Sequence, residues 1–403
     1  ADDEKAGVRA RFQDQRRGVD EILDALLRVQ PADPADQRHA VHDAERLPRL
    51  AQADIRESFI GRIPFGRKKY QWLLPMMPMA TERHNLHGFD VVVSSSSAFA
   101  KGVLTRPDTL HISYCHTPTR YLWTDTHEYI AELKYNRVIK ALLPRLIHRM
   151  RMWDKMSADR VDYFIANSDT VRQRIAKYYR RDADVVYPPV DTHHFRVSEK
   201  LGDYFVTGGR LVPYKRFDLA VSVFNRLRWP LRIFGTGPEL ARLREFARDN
   251  ITFVGRISDE EKARLLSRAK AFIHPQVEDL GITPIESMAA GRPVIAYPVG
   301  GASETVIPGV TGEFFTEQTW ESLLDSILCF DPHAWEPERI RAHAMRFSVD
   351  NFKHNILQYV TDRYEEFRRG FNQCRIPLDM RTYERQAGIM PGARDKQYEL
   401  RTH

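Results

Sequence analysis

Short apolar runs recur along this chain, each closed by small polar residues, glycine or proline. Residues 89–97 (FDVVVSSSS), 110–118 (LHISYCHTP), 160–168 (RVDYFIANS) and 183–191 (ADVVYPPVD) form a first series. The third run ends in Asn-Ser and leads into a basic helical segment at 169–179, DTVRQRIAKYY. Apolar strands separated by helices predict a parallel sheet covered on both faces. The pattern then restarts. Residues 203–211 (DYFVTGGRL), 231–237 (LRIFGTG), 251–256 (ITFVGR), 271–275 (AFIHP), 293–301 (PVIAYPVGG) and 312–315 (GEFF) read as six strands. Helical segments such as FDLAVSVFNRLR and DEEKARLLSRA separate them. The expected fold class is α/β, with two doubly wound Rossmann-like domains.

The predicted domains are 1–197, 198–347 and a returning segment at 348–403. The segment at 347–367, FSVDNFKHNILQYVTDRYEEF, reads as a helix, and the chain after it is polar and aperiodic. Residues 1–45 are atypical. A doubly wound domain should open with an apolar strand and a glycine-rich turn. Here the pattern gives one good helix at 19–29 between segments too polar for central strands.

Length fits two domains, with 403 residues. No apolar run of ~18 residues predicts a membrane span. The first residues carry no apolar segment, so no signal peptide is expected. Three cysteines, Cys115, Cys329 and Cys374, lie far apart and suit a reducing cytoplasm. The formal charge of +7 favours an anionic partner, whether phosphorylated ligand, lipid headgroup or nucleic acid.

Doubly wound sheets bind ligands beyond the carboxyl ends of their strands. In the second series those ends carry Gly208, Gly209, Arg210 and Lys215, then Gly235 and Gly237, then Gly255 and Arg256. The fourth strand is followed by Glu278, Gly281, Ile282, Thr283 and Glu286. This set suits a nucleotide diphosphate sugar. Arg210 can bind a diphosphate in a forked geometry and Lys215 as a point charge. A helix starting near Thr283 aims free N–H groups at the same anion. Gly281 permits close backbone approach. Glu286, read as lying in that helix's first turn, can accept from a ribose diol, and Glu278 from sugar hydroxyls. Each feature alone has a plainer reading, as a solvated cation, a tight turn or a first-turn acid. GTGPE also lacks the third glycine of a dinucleotide fingerprint. The ordered combination is the specific signal.

The segments GGRLVPYKRFD, FGTGPE, FVGRISDEE and EDLGITPIESMAAGRPVIAYPVGGASETV resemble the donor half of family 4 retaining glycosyltransferases of GT-B fold. Glu278 and Glu286 match that family's Glu-x7-Glu spacing. SYCHTPTRYLWTD, WDKMSADRVDYFIANS and VVYPPVD resemble its bacterial exopolysaccharide and O-antigen mannosyltransferase branch. The resemblance implies two domains facing a cleft, with the C-terminal helix crossing back to the first. It implies catalytic roles for His116, Arg210, Lys215 and Glu278. It implies donor contacts from Gly209, Gly235, Gly237, Leu280, Gly281, Ile282, Thr283 and Glu286, with Val254, Gly255 and Arg256 at the base. His116 would face the sugar across the cleft, although unaided it reads as a strand-end histidine. The family mechanism needs no protein nucleophile, metal or cofactor, because the leaving diphosphate deprotonates the acceptor. One departure is clear. RFQDQRRGVDEIL stands where the family has a strand and a Gly-Gly turn.

Residues 133–156, LKYNRVIKALLPRLIHRMRMWDKM, are basic, with Val138, Leu142, Leu146 and Met150 at every fourth position. Together with GRIPFGRKKYQWLLPMMPM at 61–79, this predicts either a core helix with a basic outer side or attachment to an anionic membrane. The leading expectation is a hexosyltransferase taking mannose from GDP-mannose to a lipid-linked saccharide at the inner face of the cytoplasmic membrane. The alternatives are a UDP-sugar donor and a sugar-nucleotide-binding protein with a weakened first domain. Nucleic acid is not an expected partner.

Overall fold

The computed structural model describes residues 58–63, 70–126, 130 and 137–374. The helix read at 19–29, the atypical opening and the chain after 374 lie outside the described residues. Contacts divide the chain into one unit of residues 1–358, which holds both sheets, and a second of residues 359–403.

The first sheet has strands β1 (Val91–Ser96), β2 (Leu110–Cys115), β3 (Tyr163–Ala166) and β4 (Ala183–Val185). All are parallel and neighbour one another in chain order. Every residue of β2 is buried. Of its polar members, His111 is satisfied on one side by Ser94 Oγ at 2.9 Å from Nε2. The helix Asp169–Tyr179 starts where Ser168 Oγ accepts from the Val171 amide at 3.2 Å. Arg180 ends it in the left-handed region, with φ of 54°.

The loops leaving β1 and β2 are tied to this layer by one buried carboxylate. Asp154, on the helix Arg137–Ala158, accepts from Lys101 Nζ at 2.5 Å and Thr119 Oγ1 at 2.8 Å. It also accepts from Trp123 Nε1 at 2.7 Å and Tyr179 OH at 2.8 Å. A buried charge is tolerated when paired and fully hydrogen-bonded, and the four partners here come from three separate segments. The loop carrying His116 is thereby fixed.

The basic helix corrects one reading. Ile147 and Met150 are buried, whereas Leu142, Met152 and Met156 are 56%, 55% and 60% exposed. The every-fourth-residue row does not keep to one face. Four residues advance a helix by about 400°, so the row drifts by about 40° per step.

The second sheet contains β5 (Phe205–Gly208), β6 (Leu231–Phe234), β7 (Ile251–Gly255), β8 (Phe272–His274), β9 (Val294–Ala296) and β10 (Gly312–Phe314). Their order is β10-β9-β8-β5-β6-β7, all parallel. Alternate residues feed two cores. Val206, Phe272, Val294 and Ala296 face one cluster, while Phe205, Ile273 and Ile295 face the other. Both faces are apolar because helices cover both. Each fully buried Phe, Ile or Val contributes about 1.5–3 kcal/mol.

The strand order reverses between β5 and β8, so the crevice at their carboxyl ends is the ligand position of this topology. The helix Ile282–Ala289 begins there and is buried from Pro284 through Ala289. Packing on all sides accounts for its small residues. Gly291, at φ of 74°, ends it where a Cβ would lie 2.7 Å from Val197 Cγ2.

The final helix, Val349–Cys374, starts by returning to the first sheet, as the family resemblance implies. Val190 N donates to Phe347 O at 2.8 Å, and the Phe352 ring meets Tyr114 of β2 edge-on at 5.8 Å.

Candidate active site

Three glycine-bearing loops close over the ends of β5, β6 and β7. Gly209 has φ of 133° and Gly235 φ of 102°. A Cβ on Gly235 would lie 1.8 Å from Gly209 O, and one on Gly237 2.2 Å from Leu211 O. Gly235 N donates to Gly255 O at 2.7 Å, and Leu211 N to Thr236 O at 2.9 Å. Gly235 and Gly237 therefore allow backbone to pack on backbone. Gly255 differs. Its φ is 75° and a Cβ there would meet nothing within 4 Å, so it borders open space. Val254 and Arg256 beside it are exposed. Arg210 is exposed on the loop leaving β5.

Lys215 lies on the turn Pro213–Lys215, and its Nζ is 2.6 Å from Glu278 Oε1. The pair joins the loops after β5 and β8 across the switch point. Burial works against the Glu278 charge, but Lys215, then His274 and Arg120, hold the carboxyl below its ordinary range. Gly281, at φ of 87°, precedes the helix Ile282–Ala289. A Cβ there would sit 3.4 Å from Glu278 Oε2 and from His274 Nε2. Lys215, Glu278 and the helix start therefore share one location. The first turn offers amides at Ile282 and Thr283, and Pro284 has none to offer.

The second glycine pair holds this loop in place. Gly301 N donates to Glu278 O at 2.9 Å. A Cβ on Gly300 would lie 2.3 Å from Glu278 O, and one on Gly301 2.1 Å from Leu280 Cα.

Glu286 is the fifth residue of its helix, beyond the first turn, which carries no acidic residue. The reading of Glu286 as a first-turn acid is corrected accordingly. Its partner is a residue the sequence reading passed over. Lys262 Nζ, from the helix Asp259–Ser267, donates to Glu286 Oε1 at 2.8 Å. Burial, opposed by Lys262, pushes the Glu286 carboxyl above its ordinary range.

His116 follows β2. Its Nε2 lies 2.8 Å from Ser95 Oγ, and its ring meets Tyr114 edge-on at 5.2 Å. Burial lowers its pKa to about 4, so the ring is neutral near pH 7. The two sheets are bridged beside it. Arg174 Nη1 pairs with Asp279 Oδ1 and donates to Thr117 Oγ1 at 3.1 Å. Arg120 stacks over the Tyr214 ring at 5.2 Å. Glu304 accepts from the amides of Asp169 and Thr170 at 2.7 and 2.9 Å, capping the helix Asp169–Tyr179 from the opposite sheet's side. Sequence reasoning also missed Asp279, Arg174, Arg120, Glu304 and His274. Asp279 stands inside the quoted motif, but nothing local marks its partner, 105 positions away. His274 is fully buried at the end of β8, and neither ring nitrogen has a hydrogen-bond partner among the described residues. Burial lowers its pKa to about 4. Among the described residues no group of three or more His, Cys, Asp or Glu is arranged to hold a metal.

Comparison with known proteins bears on this arrangement. The family described as Glycosyltransferase Family 4 matches residues 31–194, and Glycosyl transferases group 1 matches residues 191–330. An O-antigen chain mannosyltransferase of Salmonella typhimurium is 26% identical over 226 residues, which are 52% of this chain and 62% of that protein. A GDP-mannose-dependent alpha-(1-6)-phosphatidylinositol monomannoside mannosyltransferase of Mycobacterium tuberculosis is 32% identical over 201 residues, 42% of this chain and 52% of that protein. The chain thus spans about half to three fifths of these curated relatives, at 52% and 62%. Sucrose-phosphate synthase from Thermosynechococcus elongatus superposes with a TM-score of 0.59 at 19% identity, covering 74% of this chain and 80% of its own. The Anabaena protein HepE, solved in complex with UDP, gives 0.54 at 17% identity, covering 72% and 83%. At these identities the structural likeness concerns the fold.

Proposed function

Because the chain belongs to the family 4 glycosyltransferases and has their two-domain GT-B fold, we propose that it is a retaining hexosyltransferase. It moves mannose from GDP-mannose to a lipid-linked saccharide in surface polysaccharide biosynthesis. The observation that carries this reading is the Lys215–Glu278 pair, at 2.6 Å, beside the open start of the helix Ile282–Ala289. A cation, an anion and free amides at one switch point match a sugar diphosphate. The mannosyl choice is supported by the mannosyltransferases among the relatives.

In this reading Lys215, Arg210 and the amides of Ile282 and Thr283 hold the diphosphate. They stabilise charge as the bond from the anomeric carbon to phosphate breaks. The acceptor oxygen bonds to the same face of that carbon, and its proton passes to the departing phosphate oxygen. Glu278, ion-paired with Lys215, is an anion that accepts from sugar hydroxyls. His116, neutral, exchanges a hydrogen bond with the sugar from the first sheet. Glu286 accepts from the ribose diol, and the backbone at 254–256 lines the base. The reaction is metal-independent here because side chains and amides carry the compensating charge.

The protein acts at the inner face of the cytoplasmic membrane. No helix among the described residues is long and apolar enough to cross a bilayer. On the helix Arg137–Ala158, exposed Leu142, Met152 and Met156 lie among exposed Arg145 and Arg149, which suits peripheral attachment to anionic lipid. Sedimentation with anionic liposomes at low salt tests this, and a protein left in the supernatant would reject it.

Calorimetric titration with GDP, GDP-mannose and UDP-glucose tests the donor. Product analysis with a lipid-diphosphate acceptor tests transfer and its stereochemistry. Retained configuration at the new bond is expected. Nucleotide binding without transfer would leave only a sugar-nucleotide-binding protein. Displacement of nucleotide by an oligonucleotide would end the enzyme reading.

A further inference from the structure

We infer that Lys262 is a positioning residue for nucleotide binding, which keeps Glu286 ionised with one oxygen engaged and the other turned to the ribose. The inference rests on the assignment of the ribose to Glu286. Lys262 Nζ holds Glu286 Oε1 at 2.8 Å and is 3.2 Å from Asp259 Oδ1. Its own helix starts in a capping box, with Ser258 N donating to Glu261 Oε2 at 2.9 Å and Glu261 N to Ser258 Oγ at 3.2 Å. That box fixes the segment immediately after Arg256. Lys262 thus connects the wall assigned to the base with the carboxylate assigned to the ribose.

The chemistry depends on protonation. A carboxylate offers only acceptor sites, so it can take Lys262 on one oxygen and diol hydroxyls on the other. A neutral carboxyl carries a proton that one diol hydroxyl would have to face. Burial drives Glu286 toward the neutral form, and Lys262 is the group that most opposes this. Lys262 stays charged, because Glu286 and Asp259 outweigh its own burial. Three groups face Glu286: Lys262 and Asp259 from the helix Asp259–Ser267, and His194 from the turn Thr192–His194.

The test is calorimetric binding of GDP and 2′-deoxy-GDP between about pH 6 and 9, a range that spans ordinary histidine titration. Wild type should prefer GDP, with an affinity that changes little across the range. K262M should bind GDP at least about tenfold more weakly at the acid end and recover toward the alkaline end, as Glu286 ionises. K262R should restore the flat profile. The double variant K262M/E286Q should be weak and flat, because it keeps His194 and Asp259 but no longer has the Glu286 carboxyl. Should K262M fail to fold, K262Q carries the same expectation. Wild-type affinity in K262M, or a loss equal at every pH, would overturn the role of Lys262 alone. A wild type indifferent to the 2′-hydroxyl would instead overturn the ribose assignment, and this inference with it.

Discussion

Two Glu–Lys pairs, whose glutamates stand eight residues apart in sequence, behave differently. Lys215 meets Glu278 at 2.6 Å and Lys262 meets Glu286 at 2.8 Å. Both carboxylates are pushed toward neutrality by burial, yet Glu278 ends below its ordinary range and Glu286 above it. The surroundings account for this. Lys215 has help from His274 and Arg120, whereas Lys262 works against Asp259. Distance to the nearest cation therefore does not decide the state of a buried acid. The sum of the surrounding field does. The field around Glu278 favours its anion, whereas at Glu286 burial and Asp259 outweigh Lys262 and His194.

The comparison can be broken most strongly at Lys215. If the proposed reaction holds, K215A should lower its kcat/KM by about 10²–10³-fold, the usual effect of losing one donor aimed at developing charge. Steady-state kinetics with GDP-mannose would measure it, and an unchanged value would remove Lys215 from the site. On the other pair, E286Q should weaken GDP binding by about tenfold to a hundredfold, as expected for hydrogen bonds to a charged acceptor. Calorimetry checks this, and kcat at saturating donor should fall far less.

A smaller effect separates the two pairs by pH. His274 sits beside Glu278, and burial lowers its pKa to about 4, as it does for His111 and His116. A depressed histidine leaves stability intact above its unfolded value near 6.5 and takes it away as pH falls toward 4. At about pH 5.5, one unit below the unfolded value, each such histidine should cost roughly 1.4 kcal/mol. Thermal unfolding against pH would show the slope, and H274N should flatten part of it. An identical slope in H274N would mean that His274 is not held neutral. Smallest of all should be the loss of the cap on the helix Asp169–Tyr179. E304A removes the acceptor for two amides, at about 1 kcal/mol, read as a lower denaturant midpoint.

Much of the second domain is legible in the sequence because its signals are local. Strands buried on both faces need continuous apolar runs, so β5, β6, β8 and β9 appear as such. Gly209, Gly235 and Gly281 announce positive φ, and Glu278 and Glu286 announce their spacing. Other features are not written locally. The helix Arg137–Ala158 has more apolar positions than one face can bury, and only its neighbours decide that Met150 goes in while Leu142 stays out. Lys262 looks like any exposed lysine of an acidic helix start until the helix Ile282–Ala289 is packed against it.

From its sequence alone this chain was bound to form two parallel sheets, with glycines, Lys215 and Glu278 gathered at one edge of the second. Hydrophobic period and turn chemistry act over a few residues, and they suffice for that. The charge state of each acid, the orphan ring of His274 and the Arg174–Asp279 bridge between the sheets were decided only by tertiary structure. Burial and electrostatic fields are sums over residues distant in the chain, and no local pattern contains those sums.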